Sequence, residues 1–248
     1  MKVYGYDNST TLFIISFRKI LLYTILLLLF ILTAGLKASA EDAAPDYSQL
    51  QLQSVIEFGK YEQDNNLENG PEPVEWIVLE IQDEKVLLIS RYGLDAVQFH
   101  NCATPWNNPV DWEMSSIRKW LNHDFYEKSF SDSEKEYIAS ICIADDAESS
   151  GDKRTVDTED RIFILSVDEA KQYMNKQNRA CQATPYAKSK KIWIGYDGNC
   201  WWWLRTPGEQ HDYVAHIGTE GNPHIYGNRA TAKDGTVRPA FWLKLKKD

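Results

Sequence analysis

The densest run of side chains able to contact a ligand is Trp201–Arg205, which holds three consecutive tryptophans and an arginine. We predict a strand here, and since alternate side chains of a strand point to opposite faces, Trp201, Trp203 and Arg205 would share one face. Indole rings on an exposed face could stack on a sugar ring or on an aromatic side chain. The same rings could instead build the core beside an arginine, which would then need a carboxylate or several carbonyls as partner.

Three histidines in the last third of the chain, His211, His216 and His224, are candidate metal ligands. Their spacings of five and eight residues do not place them on one strand face, although a turn at Gly218–Pro223 could bring them together. No acidic residue stands at a matching position to complete a ligand set. We therefore predict solvated loop histidines and no metal site.

The other patterns that could carry chemistry are weak. The acidic segment Ala144–Asp160 follows a calcium-loop spacing only faintly, because Arg154 stands at the ninth position and Asp157 replaces the usual bidentate glutamate. The chain has no Gly-x-Ser-x-Gly elbow, no phosphate loop and no dinucleotide fingerprint, and no pair of acids is singled out for glycoside hydrolysis. The sequence thus predicts a surface loop over 144–160, and neither a catalytic residue nor a cofactor.

The first forty residues have the three parts of a signal peptide. Arg18 and Lys19 precede an apolar run over 20–32, and Ala38-Ser39-Ala40 is a cleavage pattern. We expect cleavage after Ala40, with an uncleaved membrane anchor as the alternative. The remainder would comprise a linker over 41–54 and one domain over 55–248, placed outside the cytoplasm at the cell envelope.

Charge and cysteine content fit an exported domain. Removing residues 1–40 takes away four positive charges and one negative charge, so the net charge falls from −9 to −12. Such a surface disfavours nucleic acids and anionic membranes as partners. Four cysteines in an exported chain favour disulfides. We predict that Cys181 pairs with Cys200, because both precede the tryptophan-rich strand and flank one loop, and that Cys102 pairs with Cys142 by elimination.

The elements that must position these residues are short strands and short helices. Apolar alternation, turn residues and helix caps predict them. They are a strand over 55–61, a hairpin of 75–81 and 85–90, a helix capped by Ser115 or Ser116, capping boxes at Ser131 and Ser166, a strand over 161–165, and late strands over 201–205, 213–217, near 225–226 and over 240–245. The pattern is that of an α+β domain with a sheet drawn from both chain ends.

Four segments together resemble one family of exported bacterial domains of unknown function. The segments are Phe58–Tyr61, Trp112–Asn122, Trp202–Gly208 and Val237–Ala240. The family shows Phe-Gly, Trp-Glu-x-Ser-Ser-Leu-Arg-x-Trp-Leu-Asn, Trp-Trp-Leu-Arg-Ser-Pro-Gly and Val-Arg-Pro-Ala in this order. The resemblance spans about residues 55–245, and Thr206 replaces the serine of the family.

That family is in turn similar to the C-type-lectin-like fold of formylglycine-generating enzymes. There, too, a strand with tryptophan and arginine precedes a closing strand. The resemblance implies a C-type-lectin-like, α+β fold with a mainly antiparallel sheet from both chain ends and short helices in the middle. The active enzymes bind copper with two closely spaced cysteines near the C-terminus, whereas this chain has no cysteine after Cys200.

The resemblance also divides the candidate residues. Motif positions are expected to be structural, and they are Trp112, Arg118, Trp120, Trp202, Trp203, Arg205 and Arg238, with Glu113 as the expected partner of Arg205 or Arg238. Trp201 lies outside the motif and is expected to be an exposed contact. The loops Glu209–Tyr213 and Gly218–Thr236 are expected to face the ligand. The expected ligand-binding residues are Trp201, Asn222, His224, Tyr226, Asn228 and Arg229.

These expectations define two functions. The first is an exported, non-catalytic module that binds a carbohydrate or a protein at the cell envelope. The alternative is an enzyme, either an oxidase-like relative of the formylglycine-generating enzymes without the copper cysteines or a hydrolase with unidentified acids.

Overall fold

Strands from the two ends of the domain pair in one sheet. A computed structural model describes residues 50–102, 110–144 and 157–245. The sheet contains β1 (Val55–Tyr61), β2 (Glu72–Ile81), β3 (Lys85–Ser90) and β9 (Ala240–Lys244), in the order β1-β2-β3-β9 with antiparallel neighbours. The predicted hairpin and closing strand are confirmed.

The central strand β3 is apolar along nearly its whole length, and it is buried on both faces. Val86, Leu87, Leu88 and Ile89 are all buried. Leu88 lies opposite Phe241 of β9, so the last strand completes the core that the first hairpin begins. A strand without apolar–polar alternation is stable only when other elements cover both of its faces.

Two smaller antiparallel sheets contain the other five strands of the described residues. One has the order β6-β7-β8, with β6 (Trp202–Pro207), β7 (Tyr213–Ile217) and β8 (Pro223–Arg229). The other pairs β4 (Ile141–Ile143) with β5 (Thr158–Asp160). The fold is therefore α+β with mostly antiparallel sheets. Strand β8 lies at an edge, and most of its residues are exposed or half-buried.

The helices are short and begin at side-chain caps. They are α1 (Ser116–Trp120), which continues through a π-helical turn over Leu121–Phe125 into α2 (Tyr126–Ser129), then α3 (Asp132–Lys135), α4 (Val167–Tyr173), α5 (Lys176–Arg179) and α6 (Pro185–Ser189). The Ser115 hydroxyl accepts a hydrogen bond from the Arg118 amide at the start of α1. The capping boxes predicted at Ser131 and Ser166 are both present.

Aromatic rings fill the space between the first sheet and α2. Trp76 and Phe241 meet edge to face with centroids 4.7 Å apart, and Phe130 packs against both. Gly59 has a φ of +65°, and a Cβ there would lie 2.6 Å from the Phe130 ring. The Phe-Gly string thus reflects a position that only glycine fits.

The chain differs from prediction around Asp160. The segment expected to be a strand over 161–165 pairs only through Phe163 and Ala240, and the strand β5 precedes it. Thr158 and Asp160, expected in a surface loop, are buried. Residues 1–49, which hold the expected signal peptide, and residues 145–156 of the acidic loop lie outside the described residues. Within the described ranges, no helix has the length and apolar character needed to cross a membrane.

Candidate functional site

The long tryptophan motif around α1 converges on one buried carboxylate, that of Asp160, whose exposed fraction is 1 %. The Trp112 indole donates to Asp160 Oδ2 at 2.8 Å, and Arg118 Nε donates to Oδ1 at 2.7 Å. Asn122 Nδ2 and the Thr158 hydroxyl donate to the same carboxylate at 3.1 and 2.6 Å. Because a buried carboxylate needs such donors, these motif residues have a structural role.

Arg205 and Arg238 are both buried, and each has a different set of acceptors. Arg205 pairs with both carboxylate oxygens of Glu169, the glutamate of the capping box at α4, and its NH2 lies 2.9 Å from Oε1. Arg238 instead donates to backbone carbonyls, including that of Ser90 at 2.8 Å. The expected partner Glu113 is exposed and pairs with neither arginine, so that expectation is wrong.

The tryptophans of β6 and the residue before it are core residues. Trp202 and Trp203 are fully buried, and their indole nitrogens donate to the carbonyls of Arg179 and Val97. Trp201, expected to be exposed, has an exposed fraction of only 5 %. Its ring covers the Gly235 backbone so closely that a Cβ there would lie within 2.5 Å of it. The sequence could not show this cover, because Gly235 lies 34 residues further along the chain.

A row of rings runs from Trp203 to the edge strand β8. Trp201 meets Trp203 edge to face at 4.7 Å and His216 at 5.0 Å, and His216 stacks on His224 at 4.8 Å. His216 lies in β7, at the predicted bounds 213–217, and is half-buried, so the prediction of a solvated loop histidine is wrong for this residue. Burial, together with the nearby His224, lowers the pKa of His216 to about 4, so His216 is neutral at neutral pH.

Three aromatic side chains are strongly exposed on β8 and on the segment that packs on the turn before it, and we call them the aromatic rim: Trp193, Tyr196 and Tyr226. Trp193 is 59 % exposed, Tyr226 is 66 % exposed and Tyr196 is fully exposed. The Trp193 amide donates to the Asp234 carbonyl at 2.8 Å, next to the residue that Trp201 covers. Trp193 and Tyr196 were missed by sequence reasoning. The sequence signal that could have identified them is a pair of aromatic residues around the turn residues Gly195 and Gly198.

The segment that holds Trp193 and Tyr196 packs on the β7–β8 turn. Gly195, which precedes Tyr196, packs so closely on Thr219 of this turn that a Cβ would lie 2.8 Å from the hydroxyl. Asn222 and His224 are exposed at the end of this turn, and Tyr226 is exposed further along β8, where its carbonyl accepts from the Glu209 amide. The structure therefore places three of the expected ligand-binding residues, Asn222, His224 and Tyr226, on the turn and on β8, and adds Trp193 and Tyr196 beside the turn.

The other two expected ligand-binding residues lie at the opposite end of β8. Asn228 is half-buried, and its side-chain oxygen accepts from the Arg229 amide at 2.9 Å. Arg229 is exposed, and a hydrogen bond with Tyr213 together with the charge of Asp212 raises the pKa of its guanidinium. Most of the length of β8 separates Asn228 and Arg229 from Asn222. One small ligand would therefore not contact all of the expected ligand-binding residues.

A second candidate site is a cleft of about 830 Å³ beside α1. It is lined by Val97, Gln98, His100, Asn101, Cys102, Ser116, Lys119, Trp120, His123 and Asp124. Cys102 Sγ lies 3.3 Å from His100 Nε2, and the Ser116 hydroxyl lies 3.4 Å from His100 Nδ1. Sequence reasoning missed this group, although the His-x-Cys spacing was visible. Trp120, expected to be structural, is half-buried at the wall of this cleft.

The structure brings one of the expected cysteine pairs together. Cys181 and Cys200 are directly opposite each other in an isolated antiparallel bridge, and the Cys200 amide donates to the Cys181 carbonyl at 2.8 Å. Cys102 and Cys142 are both exposed. Cys102 is in the cleft, whereas Cys142 is in β4, whose partner β5 holds Asp160 against Arg118.

Comparison with protein families identifies the family to which the chain belongs. Residues 83–245 match the family described as Domain of unknown function (DUF6273), and the chain belongs to this family. The match covers α1, the residues Thr158 and Asp160 that meet the tryptophan motif, and all strands from β4 to β9. Neither the curated proteins nor the solved structures contain a match to the chain.

Proposed function

We propose that this chain is an exported module with a C-type-lectin-like fold that binds a carbohydrate at the cell envelope through the aromatic rim. The observation that carries the proposal is the exposure of three large aromatic side chains, Trp193 and Tyr196 on the segment that packs on the β7–β8 turn and Tyr226 on β8. Large aromatic side chains are normally buried, and several exposed together mark an interaction surface.

The chemistry of the rim favours a sugar. The apolar face of a sugar ring packs flat on an indole or a phenol ring, and its hydroxyls need hydrogen-bonding groups beside the ring. Asn222, His224 and Glu220 are exposed next to the rim and offer amide, imidazole and carboxylate groups. The charge of −12 expected after leader removal disfavours acidic polymers, so a neutral glycan is the best fit. A protein ligand is the competing occupant, and the experiment below distinguishes it.

His224, the exposed imidazole on β8 beside the rim, is supported by a row of packed rings. It stacks on His216, which contacts Trp201, and Trp201 packs on Trp203 in the core. A side chain held in this way loses little conformational entropy when a ligand is bound. The C-type-lectin-like part of the proposal is supported by the pairing of strands from both chain ends in one sheet. An experimental structure superimposed on a formylglycine-generating enzyme tests that part.

Binding can be measured by retention on neutral cell-wall polysaccharide and by a glycan array. Trp193→Ala, Tyr196→Ala and Tyr226→Ala are expected to weaken binding about tenfold or more each while leaving the melting temperature unchanged. Leu67→Ala is the matched control, because Leu67 is also strongly exposed but lies in the β1–β2 loop. Trp201→Ala should lower the melting temperature, because this ring is buried.

Two outcomes would overturn the carbohydrate proposal. One is unchanged glycan retention in all three rim variants. The other is retention by a protein fraction, lost in the same variants, with no glycan bound by the parent protein. Export is tested separately by N-terminal sequencing of the material outside the cell, which is expected to begin at Glu41.

A further inference from the structure

The cleft beside α1 holds a thiol, an imidazole and a hydroxyl in one hydrogen-bonded row. Cys102 Sγ is 3.3 Å from His100 Nε2, and His100 Nδ1 is 3.4 Å from the Ser116 hydroxyl. Proteins activate thiols by placing a base next to the nucleophile and by orienting that base with a third group. This row is independent of the aromatic rim, because it shares no residue with it.

His100 is held by backbone contacts on both sides of the cleft. Its amide donates to the Ala230 carbonyl at 2.9 Å, and the preceding residue, Phe99, accepts from the Ile117 amide of α1 at 3.0 Å. His100 has an exposed fraction of only 8 %, whereas Cys102 is exposed to solvent. The base is thus fixed in place while the nucleophile remains accessible.

The protonation state of His100 suits a proton acceptor. Burial lowers the pKa of His100, and the positive charge of Lys119 lowers it further, against a smaller opposing effect of Asp111. The imidazole is therefore neutral at neutral pH, with one ring nitrogen free to take a proton. If the Ser116 hydroxyl accepts from Nδ1–H, that free nitrogen is Nε2, which faces Cys102.

We propose that this cleft is a thiol–disulfide exchange site for low-molecular-weight disulfides. The Cys102 thiol passes its proton to His100 Nε2, and the sulfur attacks one sulfur of the disulfide. A new S–S bond forms between Cys102 and one half of the substrate as the original S–S bond breaks. The other half leaves as a thiolate, which takes the proton back from His100. One disulfide and one thiol are consumed and one of each is produced, so no separate oxidant is required.

The size and openness of the cleft fit this class of substrate. A volume of about 830 Å³ lies within the range of small-molecule sites and admits both halves of a small disulfide. Exchange needs an accessible thiolate and room for the attacking, central and leaving sulfurs to align. Acyl transfer by the same thiol would need, in addition, donors aimed at a developing oxyanion. The exchange reaction needs only the thiol, the base and the open cleft already described.

The second exposed cysteine, Cys142, provides an internal control. Cys142 lies in β4 opposite Glu159, and no histidine contact is described for it. The reaction of 5,5′-dithiobis(2-nitrobenzoate) with Cys142→Ser measures Cys102, and its reaction with Cys102→Ser measures Cys142. We expect Cys102 to react about tenfold faster or more, in line with the contribution of a positioned base. Mass spectrometry should show one mixed disulfide on Cys102.

The role of His100 is tested by His100→Asn in each of these two backgrounds. The rate at Cys102 should fall about tenfold, to that of Cys142, while the rate at Cys142 should not change. Ser116→Ala leaves the Ser115 cap of α1 intact and should lower the reaction rate of Cys102 by a smaller factor. This variant tests the proposal if His100→Asn fails to fold. Equal rates at the two cysteines, or a rate at Cys102 that neither variant changes, would overturn the proposal. So would a Cys102–Cys142 disulfide in the exported protein.

Discussion

His216 and His224 stack face to face across the β7–β8 pair, with ring centroids 4.8 Å apart and planes 8° from parallel. The two residues are directly opposite each other in the register of the strands. His216 is the inner ring and touches Trp201, whereas His224 faces solvent. Two imidazolium ions in this arrangement would repel each other, and the inner ion would also lose its hydration. The packing around His216 therefore favours its neutral form.

This stack predicts a loss of stability in mild acid. The pKa of His216 is about 4 in the folded state, below the usual value of 6.5, so the unfolded chain binds the proton more tightly. The stabilising effect is fully present above pH 6.5 and is lost as the pH falls toward 4. Between pH 7.5 and 4.5 this histidine should cost on the order of 2 to 3 kcal/mol of unfolding free energy. Urea titrations at both pH values measure the loss.

The variant His216→Gln isolates the contribution of His216 to this pH dependence. It should lose less stability than the parent protein over the same pH interval, because its other titrating groups are the same. His224→Gln is the matched control at the exposed ring and should keep most of the parent's pH dependence. An identical pH dependence in the parent and in His216→Gln would contradict the assignment.

Local signals in the sequence predicted the elements well. The capping boxes at Ser131 and Ser166 are complete within four residues each, so no tertiary contact was needed to recognise them. The hairpin of β2 and β3 was visible for the same reason, since strand-forming residues flank a short polar turn. The pairing of β9 with β3 is not local, and the pattern of strands predicted only that both chain ends contribute to one sheet, not which strands are neighbours.

The site was harder to predict because exposure depends on distant residues. Trp201 looked free in the sequence, but it is covered at Gly235, while Trp193 has no such cover and remains exposed. Asp160 was placed in an acidic surface loop because its neighbours are acidic and polar. Only the folded chain shows that Trp112, Arg118 and Asn122 converge on its carboxylate. A single sequence contains no signal for such convergence over about 40 residues.

Asp160 is accordingly expected to be among the most sensitive positions of the fold. Asp160→Asn keeps the shape of the side chain but removes the negative charge opposite Arg118, and its amide would face donors. Breaking a buried charged pair in this way typically costs about 3 to 5 kcal/mol of unfolding free energy. Urea unfolding at neutral pH measures the cost, provided that enough folded protein is recovered.

The neighbouring acid gives a matched control for Asp160. Glu159 is exposed on the other face of β5, where it accepts from the Ser140 hydroxyl at 2.8 Å. Glu159→Gln should change the unfolding free energy by less than about 1 kcal/mol. If Asp160→Asn is equally mild, the carboxylate is not the centre that holds α1 to β5.

The geometry of Cys181 and Cys200 favours a disulfide in the exported protein. Residues directly opposite each other in an antiparallel pair have Cα atoms about 4.5 to 5.5 Å apart, which lies within the range that a disulfide spans. Burial raises the pKa of the Cys181 thiol, but the hydrogen bond with the Cys200 thiol and the charge of Arg238 together hold it below its usual value. A lower pKa favours the thiolate of Cys181, which is the form that enters disulfide exchange.

The expected result is that peptide mapping of exported protein without reduction finds Cys181 joined to Cys200. Closing a loop of about 20 residues should stabilise the domain by roughly 3 kcal/mol in the chain-entropy treatment. The melting temperature should therefore fall on reduction, and the double variant Cys181→Ala/Cys200→Ala should melt at a similarly low temperature whether or not reductant is present. Cys142→Ala is the control, because an exposed cysteine outside this bridge should leave the effect of reductant on melting unchanged. Alkylation of both Cys181 and Cys200 in unfolded, unreduced protein would show that their thiols are free and would contradict the predicted disulfide.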